Sequence, residues 1–249
     1  MPAAEPIDAA AFSLSGAELG LLARFTTPGP LLHYAVPELD AAGEQEVLSG
    51  LVARGILRID GEALLPAGDE AAVLAVVLTA DEAISLTRYA DEVTRLAFLS
   101  YGDALVAHTT SEGLEWFAPV RPDDAKALIA AFTGLAPDGS DDPGGGALAT
   151  VDATAWQAAQ TAPDAAAAAE HLPGLEPLAH LLFDAASVLG IDRISRTPDD
   201  EVLTLFVTVY ESAGGADAWI VEGPAGAEQL SVRRTTPAGA GIRLAELLR

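Results

Sequence analysis

The stretch Ser195-Arg196-Thr197-Pro198-Asp199-Asp200-Glu201-Val202-Leu203-Thr204-Leu205-Phe206-Val207-Thr208-Val209-Tyr210 decides the fold, because its outline occurs twice. Earlier in the chain Thr87-Arg88 is followed by Asp91, Glu92-Val93, Leu96 and Tyr101; here Ser195-Arg196 is followed by Asp199, Glu201-Val202, Leu205 and Tyr210. One inserted residue brings the two into register. An internal repeat is sought before any fold is proposed, since it dictates the architecture. Within the later copy, Leu203, Leu205, Val207 and Val209 alternate with Thr204, Phe206, Thr208 and Tyr210. That period of two predicts a strand with one aliphatic, deeply buried side and one mixed side.

Working outward, both copies continue through the same elements. The first passes the Gly102-Asp103 turn, strand-like stretches at 104–109 and 114–120, Pro122 and a helix ending near Leu135. The second passes a glycine-rich turn at 212–215, stretches at 218–222 and 229–234, Pro237 and a helix ending near Leu248. Tight turns join antiparallel neighbours. The expected class is therefore α/β of the α+β type: an antiparallel sheet flanked by helices, in two pseudo-symmetric halves. The expected boundaries are 1–135, a flexible linker at 136–150 rich in Gly, Pro, Asp and Ser, and 151–249. Residues 83–135 and 191–248 are expected to superpose.

Helices should cover the sheet. Residues 123–132 follow Pro122 with two acids in the first turn, where the helix dipole favours them, and place Ala127, Leu128, Ala131 and Phe132 on one stripe. Residues 174–189 read as a helix with two apolar faces: Leu178, Leu181, Leu182, Ala185 and Leu189 on one, Leu175, Ala179, Phe183 and Ala186 on the other. A helix apolar over most of its circumference is buried on two sides. The sheet takes one side. The other meets either Trp156 and the alanine-rich segment 152–172, itself helical in two pieces around Pro163, or a partner protein. Leu175, Leu178, Leu182 and Phe183 are the candidate partner-binding residues.

Near the start, Ser15 and Glu18 have capping-box spacing ahead of an apolar helix. A second helix at 43–54 ends at Gly55 and leads through Ile56-Leu57-Arg58-Ile59 and Asp60-Gly61 into Ala63-Leu64-Leu65, the outline of a winged-helix unit.

Composition narrows the function. The 249 residues include no cysteine, and 13 basic against 37 acidic residues give a net charge of −24. Nucleic-acid binding draws on Lys and Arg displacing counterions, so neither nucleic acid nor an anionic membrane is an expected partner. Without cysteine there is no disulfide or thiolate metal site. The first residues lack a basic start and apolar run, and the longest apolar run, 71–80, is too short to span a bilayer, so a cytoplasmic location is expected.

Catalytic patterns are sparse. His33, His108, His171 and His180 lack metal-ligand spacing, and His108 reads as a structural histidine in a strand. There is no Gly-x-Ser-x-Gly elbow. Gly239-Ala240-Gly241 lacks the third glycine and the following strand of a dinucleotide turn. The acidic pairs Asp81-Glu82, Asp123-Asp124 and Asp199-Asp200 read as caps and solvated turns. Trp116-Phe117 and Trp219 read as core, and any of them left exposed would be a contact hot spot. No catalytic residue, metal or cofactor is assigned.

The chain resembles the EspG family, cytosolic chaperones of type VII secretion in actinobacteria. The resemblance is carried by Leu14-x-x-x-Glu18-x-x-x-Leu22, by Leu51-Val52-Ala53-Arg54-Gly55-Ile56-Leu57 followed by Asp60-Gly61, by the two sheet-and-helix halves, and by the closing 237–248 stretch. It implies a quasi-twofold fold that binds the exposed apolar tip of a PE–PPE-type helical heterodimer and keeps it soluble. The expected function is thus a protein-binding adaptor or chaperone. The alternatives are a winged-helix-related transcriptional regulator and a small-molecule-binding protein.

Overall fold

The structure is a computed structural model that describes residues 11–26, 29–34, 36–61, 63–68, 70–90, 92–135, 148–215 and 217–247. In the first part of the chain lie β1 (Phe12–Ser15), α1 (Gly16–Ala23), α2 (Ala41–Ala53), β2 (Leu57–Asp60), β3 (Ala63–Pro66) and α3 (Ala71–Thr79). The strands β4 (Glu82–Tyr89), β5 (Val93–Tyr101), β6 (Ala104–Ser111) and β7 (Leu114–Pro119) follow, then α4 (Pro122–Thr133). Next come β8 (Leu148–Asp152), α5 (Ala153–Gln160), α6 (Ala165–His171) and α7 (Glu176–Asp184). The chain continues through β9 (Ser187–Arg196), β10 (Val202–Glu211), β11 (Ala218–Pro224) and β12 (Gln229–Thr235) to α8 (Pro237–Leu247).

Ten strands form one sheet in the order β1-β7-β6-β5-β4-β9-β10-β11-β12-β8, and β2 pairs with β3 in a separate hairpin. The order reads the same from either end. Each half is a run of four sequential strands closed by a helix, and Leu96 in β5 and Leu205 in β10 both fall on the second strand of their run. The shared order of elements also reaches outside 83–135 and 191–248. Each half begins with an edge strand whose last residue caps the next helix: Ser15 on β1 caps α1, and Asp152 on β8 caps α5. Ser15 Oγ accepts from Glu18 N at 3.2 Å while Glu18 Oε2 accepts from Ser15 N at 2.7 Å, completing the capping box. Asp152 Oδ1 accepts from Thr154 N at 2.8 Å and Ala155 N at 3.1 Å. The linker expected at 136–150 lies outside the described residues as far as 147, and 148–150 already belong to β8.

The chain divides into two compact units, one of Met1–Ala83, Leu96–Ala125 and Ile194–Val202, the other of Ile84–Arg95, Lys126–Arg193 and Leu203–Arg249. In the first, Phe12, Leu14, Leu99, Val106 and Phe117 from the strands pack against Leu19 and Leu22 of α1 and Val73, Leu74, Val76 and Val77 of α3. The winged-helix outline is present as α2 and the β2–β3 hairpin. Gly55, at φ +75° just past α2, turns the chain there, a conformation L side chains avoid. Its neighbour Arg54 reaches back: Nη1 donates to Glu18 Oε1 at 2.6 Å and Nη2 to the Ser13 carbonyl at 2.5 Å. The two motifs that carry the family resemblance thus meet physically. Glu18 simultaneously closes the α1 cap and anchors α2 beside β1.

In the second unit, Tyr210, Trp219, Val221, Leu230, Val232 and Val151 on the strands pack against Trp156, Ala159, Ala168, Leu172, Leu178 and Ala179 of the helices. The alanine-rich segment is two helices on either side of Pro163, with Asp164 capping the second through Ala167 N at 2.9 Å.

Four expectations are corrected. The helix predicted to run to Leu189 stops at Asp184, because Ala185 is extended (φ −63°, ψ 134°) and Ala186 N donates to Glu211 O at 2.9 Å, so Leu189 and Ile191 are strand residues. On α4 the buried residues are Ala125, Ile129 and Thr133, while Ala127 and Ala131 are exposed; the packed stripe is rotated from the one expected. The aliphatic side of β10 is buried at Val207 and Val209, but Leu203 at its start is 55% exposed. Trp116 is 41% exposed whereas Phe117 is fully buried, since successive residues on β7 face opposite sides of the sheet.

Candidate functional site

The four residues expected on the partner-binding face are separated by the structure. Leu178 is fully buried among Trp156, Ala159, Ala168 and Leu172, so it is a core residue rather than an accessible contact. The alanine-rich helices therefore do cover that side of α7. Leu175 sits half-buried at the position just before the helix, Phe183 is 42% exposed near the other end, and Leu182 is half-buried at the wall of a cavity.

This cavity, about 410 Å³, lies within the second unit. Its floor comes from three strands: Thr87 and Tyr89 on β4, Val188, Gly190 and Asp192 on β9, and Phe206, Thr208 and Tyr210 on β10. Those are alternate residues along each strand, the period that aims side chains to one face. Helical residues Leu182 and Gln160 stand over them.

Two positions explain why the space exists. Gly190 is the one strand residue in this lining without a side chain; a Cβ there would sit 3.5 Å from Tyr89 Cε2, in the cavity. Tyr210 is pulled aside into the core, 6.0 Å edge-on to the Trp156 ring, with Gln160 hydrogen-bonding it. Burial raises the Tyr210 pKa, and Gln160 opposes that shift. Burial also raises the pKa of Asp192, with the Arg95 charge pulling it back. The lining thus combines apolar walls, two phenol rings, hydroxyl and amide donors, and a half-buried carboxylate.

Sequence reasoning missed this lining. Its signal was the mixed side of β10, Phe206, Thr208 and Tyr210, which had to face something other than a close-packed aliphatic layer.

A second polar cluster lies in the first unit. His108 Nε2 is 2.8 Å from Glu115 Oε2, which also accepts from Thr110 Oγ1 at 2.7 Å, tying β6 to β7 across the ladder. The His108 ring stacks on Phe117 at 4.9 Å and meets Tyr34 edge-on at 5.5 Å. Burial lowers the His108 pKa, and Glu115 works against it; burial and Glu115 together raise that of Tyr34. The arrangement holds a neutral imidazole as a packing and cross-strand element. Among the described residues, no group of three or more His, Asp or Glu side chains could hold a metal ion. No helix among them is long and apolar enough to cross a membrane.

No family model matches the chain, and no curated protein matches it in sequence. The fold is similar to a solved structure, that of the Mycobacterium tuberculosis type VII secretion system chaperone EspG5 in complex with the PE25-PPE41 dimer, with a TM-score of 0.55 over 95% of each chain at 13% identity. At that identity the likeness is one of fold: a mixed α/β architecture around a large antiparallel sheet.

Proposed function

We propose that this chain is a protein-binding adaptor of the chaperone type, which holds an apolar helical segment of a client against the outer side of α7 and the adjoining cavity. The observation that carries this reading is the state of α7: its inner side is packed, yet Leu182 borders an open cavity and the next residue, Phe183, is left 42% exposed. An exposed aromatic side chain is a natural anchor point, and amphipathic helices dock by inserting apolar residues into grooves.

The likeness of fold to a chaperone solved with a bound PE25-PPE41 dimer supports the reading, and a helical heterodimer of the PE–PPE type is the client class it favours. The family resemblance carried by Glu18 and Arg54 supports the same reading, and a cytoplasmic location is part of what we propose. A regulator built on α2 and the β2–β3 wing has less behind it, because a net charge of −24 opposes approach to a phosphate backbone.

Co-expression tests the proposal. The full chain, paired with small helical secreted proteins encoded beside its gene, should co-purify with one such pair, and Phe183→Ser should reduce recovery of that complex without lowering the melting temperature of the free chain. Equal recovery with Phe183→Ser would remove α7 from the interface.

A further inference from the structure

We propose that the cavity beside α7 receives a single Lys or Arg side chain from the docked client segment, with Asp192 as its counter-charge. This deepens the adaptor reading above and rests on it.

Size comes first. A helix with its side chains is about 10–12 Å across, so a cavity of about 410 Å³ cannot swallow one; it has room for a few side chains projecting from a helix lying over it. The chemistry of the lining then selects which. A purely aliphatic client residue would strand Thr87, Thr208, Gln160 and Asp192 against hydrocarbon, and buried polar groups without partners are costly. An acidic one would meet Asp192, the only formally charged residue in the lining.

A long basic side chain satisfies every wall. Its stem can lie along Leu182, Val188 and Phe206, as such stems do on apolar surfaces. Its head can reach Asp192 past the rings of Tyr89 and Tyr210, whose faces attract cations. Gly190 leaves the path open.

Asp192 also lacks a dedicated cation of its own inside the cavity. Arg95 acts on it from outside the lining and is itself exposed to solvent, where its charge is screened. Burial keeps the carboxylate's pKa raised despite Arg95, so a second positive charge arriving at Asp192 finds an interaction still to be made. The net charge of −24 steers such a client in and slows the approach of an acidic one.

A phage library of helical hairpins with randomised tips, selected against the full chain, is the probe. Selected tips should carry Lys or Arg flanked by Leu, Ile or Phe, and should bind at least tenfold more weakly both to Asp192→Asn and to Gly190→Val. The second variant fills the cavity without touching the charge, so a folding defect in either one alone does not decide the matter. Tips that are purely apolar, insensitive to Asp192→Asn but lost with Phe183→Ser, would overturn the basic-residue proposal and leave the adaptor reading standing. Tips insensitive to all three substitutions would overturn both. Binding of free Nα-acetyl-arginine amide as tight as that of the selected hairpins would assign the cavity to a small cation and likewise overturn the client proposal.

Discussion

Helices α3 and α7 hold the same place in the two halves, each the last element before a run of four strands, and they have come to different ends. Each leaves through an extended alanine, Ala80 (φ −49°, ψ 137°) or Ala185 (φ −63°, ψ 134°), so the chain enters β4 and β9 by the same geometry. Helix α3 buries Val73, Leu74, Val76, Val77 and Leu78; α7 buries only Leu178 and Ala179. What precedes each helix accounts for part of this difference. Before α3 come α2 and the wing, with Leu51, Ile56 and Leu57 in the same core cluster, whereas before α7 come α5 and α6, whose alanines make a thin layer. Equivalent tyrosines record the same divergence: Tyr101 at the end of β5 is 55% exposed, and Tyr210 on β10 is 4% exposed under Trp156. Two runs with the same order of elements can thus be closed by the preceding helix in one half and left bordering a cavity in the other.

The largest effect that would sharpen this contrast is in the two helices themselves. Leu74, with no exposed surface, should lose about 2–5 kcal/mol on Leu74→Ala, as buried leucines do, while Leu182→Ala at the cavity wall should cost less than about 1 kcal/mol. Urea unfolding of the two variants measures this. Equal losses would mean that α7 is as closed as α3.

The caps give the next contrast. Glu18 serves both the α1 cap and Arg54, whereas Asp152 serves only its own helix. Glu18→Ala should therefore cost about 2–3 kcal/mol, because it strands Arg54 as well as opening the cap, against about 1 kcal/mol for Asp152→Ala. The same unfolding measurements test it, and a smaller loss for Glu18→Ala would sever the link between the two motifs.

A smaller effect is set by pH. Because burial lowers the His108 pKa below the usual 6.5, folding favours the neutral ring despite Glu115. The unfolded chain then binds more protons in that range, so stability is full above about pH 6.5 and falls as the pH drops through the lowered value. Thermal melts at pH 7.5 and 5.5 should show a drop that is smaller in His108→Gln. An unchanged drop would place the titration elsewhere.

Much of the frame was legible because it rests on local pattern. Alternation in 202–210, the turns, Pro122, Pro237 and the Ser15–Glu18 spacing each specify an element without knowledge of its neighbours. The missed parts depend on non-local packing. Leu189 continued the helical period of 174–184 in the sequence, and its place on β9, between β4 and β10 in the sheet, makes it a strand residue. The candidate face was half legible: the surplus of apolar residues on α7 was plain, but which of Leu178 and Leu182 stays accessible depends on where Trp156 and Ala168 pack. The cavity is assembled from β4, β9, β10, α5 and α7, with Thr87 and Tyr210 far apart in sequence, so no local pattern could announce it.

Hydrogen exchange on the full chain, free and with a client pair that co-purifies with it, tests the central claim most directly. The account predicts that amides of α7, residues 176–184, and of β9 beside the cavity exchange more slowly in the complex, while those of α3, residues 71–79, do not change. Protection confined to α2 and the β2–β3 wing, with α7 unaltered, would contradict it.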